Sequence, residues 1–378
     1  MKQEGYGTRT YFYDTYAMKI LFILDNYWPF KGGAETLFKN LAEGLAAKGQ
    51  QVTVLTRKVP GSKSHEILNG VEIHRMDAAN RYVYSFKCIG KAVALARNAD
   101  IIHTTTFASA APAFIASLVS GRPAVITVHE VWTGKWKEYT DVGEIRAAIL
   151  NFMEWCIYRI PFDRYVCVSE STKRQLKKPN STVIYNGVDY SHFNPRHKGT
   201  DVRKKLGLGK SFVCLTYGRA APSKGIEYAA MAVEKAKIAN LKWAFIITPD
   251  YSDRYSRVKN MLEKSSRAIL IPPVSHDRLP DYIAAADCVV VPSLAEGFGY
   301  VAAEACAMGK PVVASNTTSL PEIVSGKYVL AEPRNPESIA AAVEQVHKGK
   351  YTKSRPRKFS IEENIKRHLE LYRELIKN

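Results

Sequence analysis

The chain has 378 residues, of which 46% are apolar and 24% charged, and a formal net charge of +18. That length argues for two cores rather than one. The composition excludes a disordered chain, and no stretch approaches the roughly 18 uninterrupted apolar residues of a membrane span. The charge, concentrated in Lys173 to Lys178 and Lys348 to Lys358, suits a polyanion or an anionic membrane surface. Nucleic acid is not the expected partner, because zinc-finger spacing, an RNP-like aromatic strand and a helix-turn-helix pattern are all missing. The six cysteines include no C-x-x-C, and four sit in or beside apolar runs, where a free thiol acts as a small hydrophobe. A reducing, cytoplasmic setting is expected.

Residues 1–17 are polar and tyrosine-rich and precede Met18, so they read as a loose extension. Short apolar runs then alternate with helical patterns, the signature of parallel sheets covered on both faces. The first half predicts strands at Lys19 to Leu24, Val52 to Thr56, Val71 to Arg75, Ile101 to His103, Ala124 to Val128, Arg164 to Val168 and Thr182 to Tyr185. A polar stretch from Ser191 to Thr200 interrupts the pattern. Further strands are predicted at Phe212 to Tyr217, Trp243 to Ile247, Ile269 to Ile271, Cys288 to Val291, Pro311 to Ala314 and Tyr328 to Leu330. The reading is α/β: two Rossmann-like doubly wound domains, residues 18–195 and 196–358, followed by an amphipathic helix in 359–378. Ile145 to Ile160 is strongly apolar and reads as a buried core helix. Ligands of such sheets bind beyond the carboxyl ends of the strands, so the loops there hold the candidate site.

The first such loop carries Gly32 and Gly33 before a helix running from about Glu35 to Lys48. The strand Ala124 to Val128 delivers His129 and Glu130. Tyr217-Gly218-Arg219-Ala220-Ala221-Pro222-Ser223-Lys224-Gly225 joins a strand to a helix and places two cations beside its positive end. Arginine binds phosphate through parallel N–H bonds and lysine as a mobile point charge, a division of labour suited to a pyrophosphate. Residues 296–304 read Glu-Gly-Phe-Gly-Tyr-Val-Ala-Ala-Glu. Gly297 and Gly299 let the backbone approach a ligand, the helix beginning near Tyr300 offers free N–H groups, and Glu304 can accept both hydroxyls of a diol.

This last segment resembles the E-x7-E signature of the family 4 glycosyltransferases, which have the GT-B fold of two Rossmann-like domains facing across a cleft. Residues 217–225 are similar to that family's G-R-x-x-x-x-K-G donor loop, and the resemblance runs from Lys19 to Leu330. It implies retaining transfer of a hexose from a UDP- or GDP-sugar to a hydroxyl of a glycan or lipid-linked glycan, with no cofactor. Arg219 and Lys224 would hold the diphosphate, Glu296 the sugar hydroxyls, Glu304 the ribose, and His129 the transferring sugar. Gly33, Gly297, Phe298, Gly299 and Tyr300 would line the donor, and backbone atoms around Val274 would touch the base. The resemblance also implies that the C-terminal helix packs back on the first domain. The turn Thr248 to Asp253, Pro273 and the loop Asn316 to Ser319 depart from the family's glycine-rich pattern, which leaves uridine and guanosine both open.

No Asp-x-Asp pair is present, so no metal is expected. Trp132, Lys135, Trp136 and Lys137 form a basic aromatic stretch suited to a sugar platform or to peripheral contact with an anionic membrane on its cytoplasmic face. The rival readings are a silent sugar-nucleotide-binding protein, an epimerase and a phosphorylase. A silent protein would show degraded site residues, and Gly33, His129, Arg219, Lys224, Glu296 and Glu304 are all in place.

Overall fold

The computed structural model describes residues 17–30, 32–249 and 253–377. Residues 1–16 of the expected extension therefore lie outside the described residues, as do Lys31 and Asp250, Tyr251 and Ser252 of the turn after Trp243 to Ile247.

The first sheet contains β1 (Lys19–Ile23), β2 (Gln51–Arg57), β3 (His65–Leu68), β4 (Val71–Met76), β5 (Ile101–Thr105), β6 (Ala124–Val128), β7 (Arg164–Cys167) and β8 (Ser181–Val183). Their spatial order is β3-β4-β2-β1-β5-β6-β7-β8, parallel except for β3 on β4. The second sheet contains β9 (Phe212–Arg219), β10 (Leu241–Thr248), β11 (Ala268–Ile271), β12 (Cys288–Val291), β13 (Val312–Ser315), β14 (Lys327–Ala331) and β15 (Thr352–Lys353), in the order β11-β10-β9-β12-β13-β14-β15. Strand order reverses between β1 and β5 in one sheet and between β9 and β12 in the other. Those reversals splay successive crossover helices to opposite faces and open a crevice at the strand ends.

Every predicted strand is present within two residues at each end. Central strands such as β5, β6 and β12 are buried along their whole length, which explains their continuous apolar or Thr-rich runs. Two edge strands, β3 and β15, are additional. The second sheet is covered by two apolar layers, one containing Leu215, Ile246, Val289 and Phe298 and the other Trp243, Phe245, Val290 and Val343. The C-terminal helix Ile361–Lys377 presents Ile365, Leu369, Leu371 and Tyr372 to the core of the first sheet, beside Phe22 and Phe38 of the helix Gly33–Ala47 and its neighbouring strand. Ile365 occupies the space over Gly44 that a larger side chain there would fill.

The apolar helix is a correction. It spans Glu144–Ile157, and Ile145, Ile149 and Phe152 are 80%, 53% and 63% exposed. Its inward face is Ala147, Glu154 and Ile157; it rests on the short helix Trp136–Tyr139, and only its end, at Ile157, joins the core of the first sheet. Ile145, Ile149 and Phe152 thus face outward because the buried face is taken by Ala147, Glu154 and Ile157.

Candidate active site

The loops after β9 and β12 flank the second sheet's reversal and are tied to each other. Leu294 and Ala295 N–H both donate to the Ser223 carbonyl, at 2.7 and 3.2 Å. Lys224 Nζ lies 2.8 Å from Glu296 Oε1, which also accepts from Ser293 Oγ at 2.8 Å. Arg219 is exposed at the end of β9 and makes no ion pair among the described residues. It lines a cavity of 850 Å³ together with Pro222, Trp132, Tyr139 and Arg257, so it stands free at the mouth of the cleft between the domains.

The loop Asn316 to Ser319, where glycines were expected, has a definite task. Thr318 Oγ1 accepts from Glu296 N–H at 2.9 Å, and Ser319 Oγ donates to the carbonyls of Glu296 and Phe298 at 3.0 and 2.9 Å. Hydroxyls here fix the backbone of the carboxylate-bearing turn. Gly299, at φ +96°, then reverses the chain into the helix Tyr300–Ala307. Glu304 lies on that helix, where burial pushes its carboxyl up to about 7 and Tyr217 Oη donates to it at 2.8 Å. A buried carboxylate with one donor has acceptor capacity left for a ligand hydroxyl.

The first domain meets this turn directly. The carbonyl of His129 and the side chain of Glu130 press on the Cα of Gly297, so that a Cβ there would run into the carbonyl oxygen and lie 2.9 Å from Glu130 Cγ. Gly297 N–H donates to the Glu130 carboxylate. Burial raises that carboxyl to about 7, against the opposing pull of Lys224. His129 Nε2 is sealed from solvent with no hydrogen-bond partner among the described residues, and burial lowers the imidazole to about 4, so the ring is neutral at pH 7. Gly33 faces the Tyr300 ring, 3.5 Å from the position of a Cβ. Near it Glu35, with its carboxyl raised by burial, feels both Asp25 and Arg219 across the cleft. Gly33, His129, Arg219, Lys224, Glu296, Gly297, Gly299, Tyr300 and Glu304 therefore surround one interdomain cleft. Phe298 is buried beneath it against Tyr300 and Phe359, and Val274 packs on the same core from the loop after β11.

Several residues of this region escaped sequence reading. Glu154 is 1% exposed and accepts from Trp132 N–H, Thr133 Oγ1, Trp136 Nε1 and Tyr158 Oη at 2.9, 2.9, 2.9 and 3.1 Å. It fixes the basic aromatic loop from inside. The outer side of that loop reaches the second domain through Asp141 to Arg254 at 2.6 Å and Glu138 to Arg334 at 2.8 Å. Glu322 accepts from Ser171 N–H at 2.8 Å and Tyr185 Oη at 2.9 Å, a second tie across the cleft. For metals, the one grouping of three ligand atoms among the described residues is His65, Glu72 and His74, on the β3–β4 edge and separated from β1 by β2.

Two doubly wound sheets facing across a cleft lined by loops at their strand ends define a GT-B glycosyltransferase architecture. Residues 31–192 match Glycosyltransferase Family 4 and residues 199–366 match Glycosyl transferases group 1, and the chain belongs to the family 4 glycosyltransferases. It is 28% identical to an uncharacterized glycosyltransferase of Methanocaldococcus jannaschii over 87% of this chain and 89% of that one. It is 29% identical to a D-inositol 3-phosphate glycosyltransferase of Geodermatophilus obscurus, over 83% and 77%. Its fold matches the crystal structure of Anabaena HepE in complex with UDP, with a TM-score of 0.78 at 19% identity, covering 95% of this chain and 100% of that one.

Proposed function

We propose that this glycosyltransferase moves a hexose from a UDP- or GDP-sugar to a hydroxyl of a glycan or lipid-linked glycan, with retention of anomeric configuration and without a metal ion. The observation that carries the reading is the convergence of Arg219, Lys224, Glu296 and Glu304 on the second sheet's reversal, opposite His129. Arg219 and Lys224 take the diphosphate, and Glu304 takes the ribose diol. Glu296 takes sugar hydroxyls, and His129, whose unpartnered Nε2 is closed off from solvent in this conformation, reaches one through a shift of the loop after β6, with the ring nitrogen as donor in one neutral tautomer. The backbone at Val274 meets the base, and Gly33 admits the donor against Tyr300. In the step itself the acceptor oxygen bonds to C1 as the bond from C1 to the phosphate oxygen breaks. The electron pair goes to the diphosphate, stabilised by the two cations, and the acceptor proton passes to the leaving phosphate oxygen. No helix among the described residues is long and apolar enough to cross a membrane. Contact with a lipid-linked acceptor would be peripheral.

Turnover of a panel of α-linked UDP- and GDP-sugars in excess chelator, with NMR of the first-formed product, tests this reading. An α-glycoside is expected. A β-glycoside would make Glu130 or His129 the base of an inverting reaction, and activity lost to chelator and restored by Mn²⁺ would refute metal independence.

The Glu304 role has its own pH signature. A diol donates to the ionised carboxyl, so binding favours the deprotonated form, and the group titrates at about 7 in the free protein. Donor affinity should therefore rise by about tenfold in all between about pH 6 and 8 and level off above it. Glu304→Gln should flatten that rise and weaken donor binding. Parallel pH profiles for the two proteins would make Glu304 structural.

A further inference from the structure

A second cavity, of 640 Å³, lies in the first domain between the helices Glu144–Ile157 and Glu170–Leu176 and the loop Val131 to Lys135. Lys135, Arg159, Arg174, Lys177 and Lys178 line it, with Trp155 as an aromatic wall. No carboxylate lines it, and none of the five cations makes an ion pair among the described residues. Cations elsewhere that are enclosed beside a carboxylate pair with it. Arg75 pairs with Glu66, Arg254 with Asp141 and Glu227, and Lys224 with Glu296. Glu154, which accepts from the cavity-lining Tyr158, is occupied by that hydroxyl and by three donors of the loop and short helix, Trp132 N–H, Thr133 Oγ1 and Trp136 Nε1. The Arg159 guanidinium carbon lies 3.8 Å from the centre of the Trp155 ring, a cation–π contact that holds it beside the cavity without using a hydrogen bond. Five like charges around one concave surface repel each other unless an anion joins them.

The position of the cavity connects it to the reaction. The loop that forms one wall is also a wall of the cleft, since Trp132 and Tyr139 line the 850 Å³ cavity while Val131, Thr133 and Lys135 line this one. Tyr158, also in the basic cavity, shares its one hydroxyl proton between the Glu130 carbonyl at 2.9 Å and Glu154 at 3.1 Å. An anion seated here is thus one loop away from His129 and Glu130.

We infer that this basic cavity is the acceptor subsite and that it takes a phosphate ester, so that the acceptor carries a phosphate monoester or diester near the hydroxyl that is glycosylated. This rests on the transferase reading above. Arg159 and Arg174 supply planar N–H pairs to phosphate oxygens, and Lys177 and Lys178 supply point charge. Trp155 covers the apolar part of the group that bears the phosphate. The exposed Ile149 and Phe152 continue from Trp155 along the same helix, so an ester with an acyl chain has apolar surface to follow out of the cavity.

The test keeps donor and acceptor readouts apart. UDP and GDP binding is measured first by calorimetry, and the anion measurements follow with the donor site saturated, so that phosphate cannot occupy it. Glycerol 3-phosphate, with glycerol as control, probes a soluble phosphorylated acceptor. Vesicles containing phosphatidylglycerol, against neutral phosphatidylcholine vesicles, probe a lipid headgroup. The variant Arg159→Ala/Arg174→Ala/Lys178→Ala is compared with Lys350→Ala/Arg355→Ala/Lys358→Ala, which removes equal charge from the C-terminal basic run. The wild type is expected to bind at least one probe, and the cavity variant to bind it about tenfold or more weakly, with the C-terminal variant close to wild type and nucleotide binding unchanged. Binding of glycerol 3-phosphate identifies a soluble acceptor, and binding of vesicles alone a lipid one. The inference fails if the wild type binds neither probe, or if both variants behave alike. Failure of wild type to bind UDP or GDP would count against the transferase reading, and the comparison of the cavity variant with the C-terminal variant, run without nucleotide, would still decide the cavity.

Discussion

Gly297→Ala should lower kcat/KM by about a hundredfold while leaving nucleotide affinity within a few-fold of wild type. The reason is contact across the cleft rather than backbone conformation. The added methyl would run into the His129 carbonyl and press on Glu130 Cγ, and both belong to the strand end that carries the first domain's contribution to the site. Neither is the far end of a flexible chain that could swing aside. Relief must come from moving the β6 loop or separating the domains, and a displacement of about 1 Å at a reacting centre is worth about two orders of magnitude in rate. Overpacking of this kind costs about 1–3 kcal/mol, so the melting temperature should also fall by a few degrees. Arg219, Lys224 and Glu304 belong to the second domain and keep their places, which is why nucleotide binding survives. Calorimetry with UDP and GDP alongside steady-state kinetics distinguishes the two effects. Turnover within threefold of wild type would show that the domains do not meet here during catalysis.

Much of this arrangement was legible in the sequence because parallel strands buried on both faces leave continuous apolar runs, and their ends locate the ligand loops. Arg219, Lys224, Glu296 and Glu304 could be placed in the loops and the helix start that follow strand ends, while the roles expected of them came from the resemblance to the family. The edge strand β3 was missed although Asn69-Gly70, with φ +50° and +79°, is a strong two-residue hairpin signal. Its strand, His-Glu-Ile-Leu, is too short and too exposed to show alternation. The orientation of Glu144–Ile157 was misread because apolar content does not say which face is buried. That was decided by Glu154, a single carboxylate whose four donors come from Trp132, Thr133, Trp136 and Tyr158. The ties Asp141 to Arg254 and Glu322 to Ser171 join residues 113 and 151 positions apart, and no local pattern encodes such pairs.

The loop Asn316 to Ser319 shows how a departure from a family pattern can preserve a task. Glycines there would leave the Glu296 N–H and the carbonyls of Glu296 and Phe298 to other partners. Thr318 and Ser319 satisfy these groups with hydroxyls. Thr318 accepts the strain of a left-handed backbone, at φ +45°, in doing so. The carboxylate of Glu296 is thereby aimed by its own backbone as well as by Lys224 and Ser293, a rigidity that suits the role proposed for it, holding one sugar hydroxyl in one orientation.

Lys224→Ala should reduce kcat by at least about tenfold and also move the pH–rate profile. Negative charge grows on the leaving phosphate as the C1–O bond breaks, so a cation there stabilises the transition state more than the ground state, and its loss falls on kcat more than on KM. The same cation lies 2.8 Å from Glu296, whose side chain is 9% exposed, and it lowers the carboxyl of Glu130 against the burial that raises it to about 7. Removing Lys224 takes away that stabilisation of the Glu130 carboxylate, so this group must titrate higher in the variant than in the wild type. If activity depends on ionised Glu130, the acid limb of the profile moves to higher pH. If activity depends on protonated Glu130, the alkaline limb moves in the same direction. Lys224→Arg restores charge but not the ammonium geometry, and it should recover the position of the profile before it recovers the rate. Because Lys224 sits on a short helical turn at the domain surface, folding should be retained, which a thermal melt verifies. A Lys224→Ala enzyme with near-normal kcat and an unmoved profile would remove Lys224 from the diphosphate site and leave Arg219 as its sole cation.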